Sequence, residues 1–113
     1  MRAVYTLFQT QDGAFLFTFR GSDEQLLLTS LPFADKNTAL SRINSMRSLG
    51  HRSESFLTSV SPEGKRYFLL RNTRQEIIAQ GEMCADDQSL QKAIEQVRRT
   101  SRTGKLHDRT VEK

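Results

Sequence analysis

Short stretches of alternating hydrophobic and polar residues, separated by turn-forming residues, open the chain. Val4 to Gln9 is rich in β-branched and aromatic residues, which favours a strand. Asp12-Gly13 follows and is typical of a hairpin turn, because glycine adopts the positive φ that such a turn requires. Between Ala14 and Arg20, phenylalanine occupies every second position from Phe15 onward. These side chains therefore share one face of a second predicted strand.

A third strand and a helix complete the first half of the pattern. Gln25 to Ser30 contains three consecutive leucines, and Pro32 ends this strand because proline cannot donate a hydrogen bond to a sheet. Apolar residues then recur at helical spacing between Lys36 and Leu49. Asp35 precedes the helix, where its carboxylate can accept a hydrogen bond from a free backbone N–H. The first half thus predicts three strands followed by a helix.

The same order of elements recurs 51 residues later, as the turn glycines Gly13 and Gly64 show. The second half predicts strands over Ser55–Val60, Tyr67–Arg71 and Glu76–Gln80, a helix cap at Asp86, and a helix lined by Leu90, Ala93, Ile94 and Val97. An internal repeat determines architecture before any local pattern does. We therefore place repeat one at about residues 3–51 and repeat two at about residues 54–102.

Two such units predict an α+β fold within a single domain spanning residues 1–113. The β-β-β-α(-β) repeats join edge to edge into one antiparallel sheet, with both helices on one face and an approximate two-fold axis. Continuing the same spacing matches Glu54–Val60 to Lys105–Val111. The basic C-terminal tail, residues 103–113, is therefore expected to carry a final strand.

An ordered series of motifs occurs in both halves. The first half has Phe15-x-Phe17-x-Phe19-Arg20, Leu26-Leu27-Leu28, Phe33-Ala34-Asp35-Lys36 and Ile43-Asn44-Ser45-Met46-Arg47; the second has Tyr67-Phe68-Leu69-Leu70-Arg71, Glu76-Ile77-Ile78 and Ile94-Glu95-Gln96-Val97-Arg98. This series resembles the YegP-like family of small uncharacterised bacterial proteins over almost the whole chain. The resemblance implies units of three strands, a helix and a strand in one sheet, with the last strands exchanged between units. It implies no activity that can be assigned to residues.

Charge and composition narrow the function classes. The net charge of +4 resides in residues 98–113, whereas residues 1–97 are neutral. No run of about 18 apolar residues is present, so we expect no membrane span. The N-terminus lacks the apolar stretch of a signal peptide, and the single Cys84 cannot form an internal disulfide. We therefore expect a cytoplasmic protein.

Candidate catalytic and metal-binding residues are few. His51 and His107 have no other histidine or cysteine at metal-ligand spacing. Cys84 matches Phe33 in the other half, so it is interpreted as a small, half-buried hydrophobic residue. No phosphate-binding glycine loop is present. We expect no catalytic, cofactor-binding or metal-binding residues, and we expect that the protein is not an enzyme.

Two binding hypotheses remain open. Helices on one face leave the other face of the sheet uncovered, and Leu16, Tyr67 and Leu69 are expected there. Such an apolar surface would bind a protein partner or a second copy of the chain. The alternative is weak nucleic-acid binding through charge in the C-terminal segment. Its candidate residues are Arg98, Arg99, Arg102, Lys105 and Arg109.

Overall fold

Seven strands and two helices make up the computed structural model, which describes residues 3–110. The strands are β1 (Val4–Gln9), β2 (Phe15–Arg20), β3 (Leu26–Ser30), β4 (Phe56–Val60), β5 (Arg66–Arg71), β6 (Ile77–Gly81) and β7 (Lys105–Asp108). The helices are α1 (Lys36–Leu49) and α2 (Asp87–Thr100), and a 3₁₀ turn at Ser53–Ser55 precedes β4. The predicted α+β class and the order of elements are confirmed.

All seven strands belong to one sheet with the order β4-β5-β6-β3-β2-β1-β7. Neighbouring strands are antiparallel except β7, which pairs with β1 in parallel. The two helices pack on one face of the sheet and share a single hydrophobic core with it. The antiparallel sheet covered on one face agrees with the sequence-based expectation.

A pseudo-two-fold axis passes through the junction of β3 and β6. Thr29 lies opposite Gln80 at this junction, and these two residues are 51 positions apart. The pairing of Tyr5 with Phe19 likewise recurs 51 positions later, as Phe56 with Leu70. The two halves of the sheet therefore share the same strand register on either side of the axis.

The core lies between the helices and the sheet. Phe17 and Phe19 of β2 and Phe68 of β5 are completely buried, as the strand alternation predicts. Phe15 is half-buried, because its ring packs against the edge of the core. Its backbone forms a β-bridge with Phe33. Burial of the phenylalanine series against the helices supplies much of the hydrophobic stabilisation.

Capping and turn residues act in the predicted way. The Asp35 carboxylate accepts a hydrogen bond from the backbone N–H of Thr38 at 2.7 Å, and Asp86 accepts one from Ser89 at 2.8 Å. These backbone hydrogen bonds lower the pKa of both carboxyl groups. Gly13 and Gly64 have φ values of 92° and 87°, so each hairpin uses the left-handed backbone that glycine favours.

The last strand joins the two ends of the chain. Lys105 of β7 pairs with Val4 and Asp108 pairs with Leu7. The Lys36 ammonium lies 2.8 Å from the Asp108 carboxylate. Position 111, which the repeat spacing includes in the predicted strand, lies outside the described residues.

Side chains of the first half also hold the segment that leads into β7. The Tyr5 hydroxyl donates a hydrogen bond to the Ser101 carbonyl at 2.5 Å. The Arg47 guanidinium donates to the Gly104 carbonyl at 2.7 Å. The chain is thereby fixed at the end of α2 and again just before β7 begins. No helix within residues 3–110 is long and apolar enough to cross a membrane.

Candidate interaction surface on the open sheet face

The face of the sheet opposite the helices carries the predicted protein-binding residues. Strand register aligns one row of side chains across this open face, in the order Leu57, Leu69, Gln80, Thr29, Thr18, Thr6 and His107. The row is apolar on β4 and β5 and polar on the five strands from β6 to β7. This row is therefore apolar at one end and polar along the rest of its length.

Leu16, Tyr67 and Leu69 are half-buried and lie on this face, but not in one group. Leu16 on β2 pairs with Phe8, whereas Leu69 on β5 pairs with Leu57. Since β3 and β6 separate β2 from β5, three strand spacings of about 4.8 Å place Leu16 at least about 14 Å from the other two, measured across the strands. The structure brings Tyr67 and Leu69 together and leaves Leu16 on the opposite side of the pseudo-two-fold axis.

Leu57 completes the apolar end of this row and was missed by the sequence reasoning. It is 43% exposed and pairs directly with Leu69 across β4 and β5. The repeat spacing could have indicated its position, because Leu57 matches Thr6 and both side chains lie on the open face. We define Leu57, Tyr67 and Leu69 as the apolar patch.

The five basic candidate residues occupy different parts of the molecule. Arg98 and Arg99 lie in the last turn of α2, in the helix layer. The Arg98 Nε donates a hydrogen bond to the His51 carbonyl at 3.1 Å, and its guanidinium lies 3.8 Å from the Glu95 carboxylate. Arg102 is exposed in the turn between α2 and β7. The structure therefore does not join these three arginines to the open sheet face.

Lys105 and Arg109 do lie beside the open face. Lys105 is in line with Val4 and Arg20 across β7, β1 and β2. The Arg109 guanidinium carbon lies 5.7 Å from the centre of the Phe8 ring, which is a cation–π distance. We define Lys105, Arg109, Phe8 and Arg20 as the basic patch. The sequence reasoning identified two of its members and missed Phe8 and Arg20.

Cys84 lines a cleft of about 330 Å³ between α2 and the strand ends near Leu26. In the first half, Phe33 and Arg42 occupy the positions of Cys84 and Ala93, and the Arg42 guanidinium lies 5.8 Å from the Phe33 ring centre. The smaller pair leaves room for the cleft in the second half. Burial, with contributions from Asp86 and Glu82, raises the pKa of the Cys84 thiol. The thiol is therefore protonated at neutral pH and is a weak nucleophile.

Potential metal ligands are dispersed. Within residues 3–110, no three histidine, cysteine or carboxylate side chains converge as a metal site requires. His51 follows α1, whereas His107 lies on β7, and both side chains are exposed.

Comparisons with known proteins agree with this geometry. The family model "Domain of unknown function (DUF1508)" matches residues 62–108. A UPF0339 protein of Pseudomonas aeruginosa is 27% identical over 108 residues, covering 96% of this chain and 98% of the relative. UPF0339 protein YegP of Escherichia coli (strain K12) is 27% identical over 110 residues, covering 97% of this chain and 100% of the relative.

Two solved structures share the fold. The solution NMR structure of YegP from E. coli, described as a protein of unknown function, has a TM-score of 0.90 and 27% identity, and the match covers 96% of this chain and 94% of that one. The solution NMR structure of a UPF0339 protein from Shewanella oneidensis has a TM-score of 0.90 and 22% identity, covering 96% and 92%. The relatives and the solved structures match nearly the full length of the chain, and together with the family model they support its similarity to the YegP-like family.

Proposed function

We propose that the protein is a non-enzymatic binding module whose open sheet face contacts a protein partner through the apolar patch. One observation carries this proposal: the helices cover only one face of the sheet, and Leu57, Tyr67 and Leu69 lie together on the other. Apolar side chains that remain accessible on a folded surface are typical of interaction sites. Leu57, 43% exposed, is the most accessible of the three.

Copurification tests the apolar patch. The tagged full-length protein is purified from the cells in which it naturally occurs. We expect the Leu69→Lys variant to abolish capture of the partner or self-association. Leu16→Lys is the matched control, because it places the same charge on the same face but at the opposite side of the pseudo-two-fold axis. Equal effects of the two variants on partner capture and on sedimentation would refute the assignment to this patch.

A second candidate function is weak single-stranded nucleic-acid binding through the basic patch. Its specific support is the alignment of Lys105 with Arg20 and the position of Arg109 over Phe8. Cations next to an aromatic ring on an open sheet suit phosphate contacts and base stacking. This second candidate replaces the five basic residues expected from the sequence with a single surface, the basic patch, along which a single-stranded nucleic acid could lie.

Fluorescence anisotropy with a labelled single-stranded oligonucleotide at low salt tests the basic patch. Lys105→Glu with Arg109→Glu should remove binding and flatten its salt dependence, since each phosphate contact contributes about −0.7 to the slope of log K against log salt. Arg98→Glu with Arg99→Glu is the control and should reduce binding less. Equal losses in both double variants would indicate a diffuse charge effect.

We further infer that the two halves are tandem repeats. The 51-residue spacing between matching strand pairs supports this inference.

We also propose a cytoplasmic location. The free thiol of Cys84 supports it, because unpaired cysteines are common where thiols stay reduced.

A further inference from the structure

The sheet ends differently on its two sides. On one side, β7 pairs with β1, and the Leu7 side chain of β1 is completely buried. On the other side, β4 has no strand beside it among residues 3–110. Thr58 of β4 matches Leu7 in the repeat and is exposed. One position for a parallel strand is therefore filled, and its pseudo-symmetric counterpart is open.

A groove lies beside the open position. It has a volume of about 130 Å³ and is bordered by Thr58, Val60, Asp87 and Leu90. Val60 is 54% exposed at the end of β4. An uncovered edge strand presents backbone N–H and C=O groups that can pair with an extended segment of another chain.

Charge distinguishes the open position beside β4 from the position beside β1 that β7 fills. Lys36, at the start of α1, binds Asp108 of β7 at 2.8 Å. Asp87, at the start of α2, matches Lys36, and its carboxylate lies 3.1 Å from Arg66 with the side chain 74% exposed. A second copy of β7 at this edge would bring its Asp108 towards Asp87, and like charges repel. A lysine or arginine at the same position would instead meet an accessible carboxylate.

The backbone sets the length of the open position. The Ala3 carbonyl accepts a hydrogen bond from the Lys105 N–H at 2.9 Å. The matching Glu54 carbonyl already accepts one from the Arg71 guanidinium at 3.2 Å. Residues Ser53–Ser55 form a 3₁₀ turn rather than extended backbone, so we place the incoming strand from Phe56 onward, along β4 itself.

We propose that the edge of β4 is a docking site for an extended segment of another polypeptide, which runs parallel to β4 and places a lysine or arginine opposite Asp87. The β1–β7 pair is the template for this geometry, and the exchange of Lys36 for Asp87 defines the charge of the partner. The site uses the backbone edge of β4, whereas the apolar patch uses side chains on the open face, and Leu57 belongs to both regions.

Two synthetic peptides that copy residues 104–110 test the proposal against the full-length, ¹⁵N-labelled chain. One peptide keeps the native aspartate, and the other carries Asp108→Lys. We expect the lysine peptide to shift the amide signals of Phe56–Val60 and to bind roughly 2- to 5-fold more tightly, as exposed ion pairs allow. Asp87→Lys in the full-length chain should reverse the preference between the two peptides.

A backbone variant provides a second test. The Arg109 N–H donates to the Leu7 carbonyl at 2.9 Å, so the backbone at the matching Thr58 faces the open edge. Thr58→Pro should abolish peptide binding, whereas Thr58→Val should retain it. If Thr58→Pro fails to fold, the Asp87→Lys reversal still decides. Equal affinity of the two peptides, shifts confined to β1 and β7, or a β4-dependent dimer in sedimentation would overturn the proposal.

Discussion

Removing the Tyr5 hydroxyl isolates one buried hydrogen bond between the two halves of the protein. The hydroxyl donates to the Ser101 carbonyl at 2.5 Å, and both residues are fully buried. Tyr5→Phe keeps the ring, so its contacts with Phe19, at a centroid distance of 4.4 Å, and with the Arg47 guanidinium, at 5.2 Å, remain. The variant leaves the carbonyl that ends α2 without this donor.

Leaving a buried acceptor unpaired costs about 1–3 kcal/mol. A neutral hydrogen bond contributes only about 0.5–1.5 kcal/mol on average, so we use the lower part of this range and expect a loss of about 1–2 kcal/mol. At ~2.1 cal/mol/K per residue, the unfolding entropy of a chain of this length is ~0.24 kcal/mol/K. Tyr5→Phe should therefore lower Tm by about 4–8 °C.

Thermal and urea unfolding followed by circular dichroism measure this change. Tyr67→Phe is a matched control, because Tyr67 is the only other tyrosine of the chain. Its half-buried side chain lies on the open face, so we expect a change within about 0.5 kcal/mol. If Tyr5→Phe is as stable as Tyr67→Phe, the hydroxyl does not hold α2 and the reasoning is wrong.

Three further predictions concern pH and packing. Burial raises the pKa of Tyr5 well above its ordinary value. The free energy of unfolding should therefore fall by about 1.4 kcal/mol per pH unit above pH ~10, where tyrosine ionises in the unfolded chain. Urea unfolding at increasing pH should show that Tyr5→Phe removes this loss. The Lys36 ammonium lowers the pKa of Asp108 to about 2. The stability that this pair provides should therefore be complete above the ordinary aspartate pKa of 3.8 and should decline as the pH falls towards 2. An NMR titration of the Lys36→Met variant should show that the pKa of Asp108 has risen. A Cβ at Gly81 would lie 2.6 Å from Cζ of Phe68, so Gly81→Ala should destabilise the fold by about 1–3 kcal/mol in urea unfolding, and Phe68→Leu should relieve part of that cost.

The sequence predicted the elements because local chemistry determines them. Helix α1 begins and ends where the cap at Asp35 and the apolar spacing place it. Phe17 and Phe68 are buried because strand alternation puts them on the helix-facing side. These features depend on neighbouring residues, which a single sequence displays directly.

The grouping of candidate site residues could not be predicted in the same way. Whether Leu16 meets Leu69 depends on strand order, which places β3 and β6 between them. Leu57 joins the apolar patch through cross-strand pairing with Leu69, and Phe8 joins the basic patch through the nearby Arg109 guanidinium. Arg20 joins through register with a strand of only four residues. Alternation assigns a side chain to a face, but it does not give the distance between two strands on that face.

The pairing of the first strand with the last has a consequence for synthesis on the ribosome. About 100 residues separate Val4 from its partner Lys105. At translation rates of about 5–20 residues per second, β1 waits roughly 5–20 s before β7 emerges. During that interval both outer edges of the nascent sheet are uncovered, and the arrival of β7 covers only one of them. The growing chain is therefore exposed to wrong strand pairing until β7 emerges, and chaperones that bind extended segments have the most to protect in that interval.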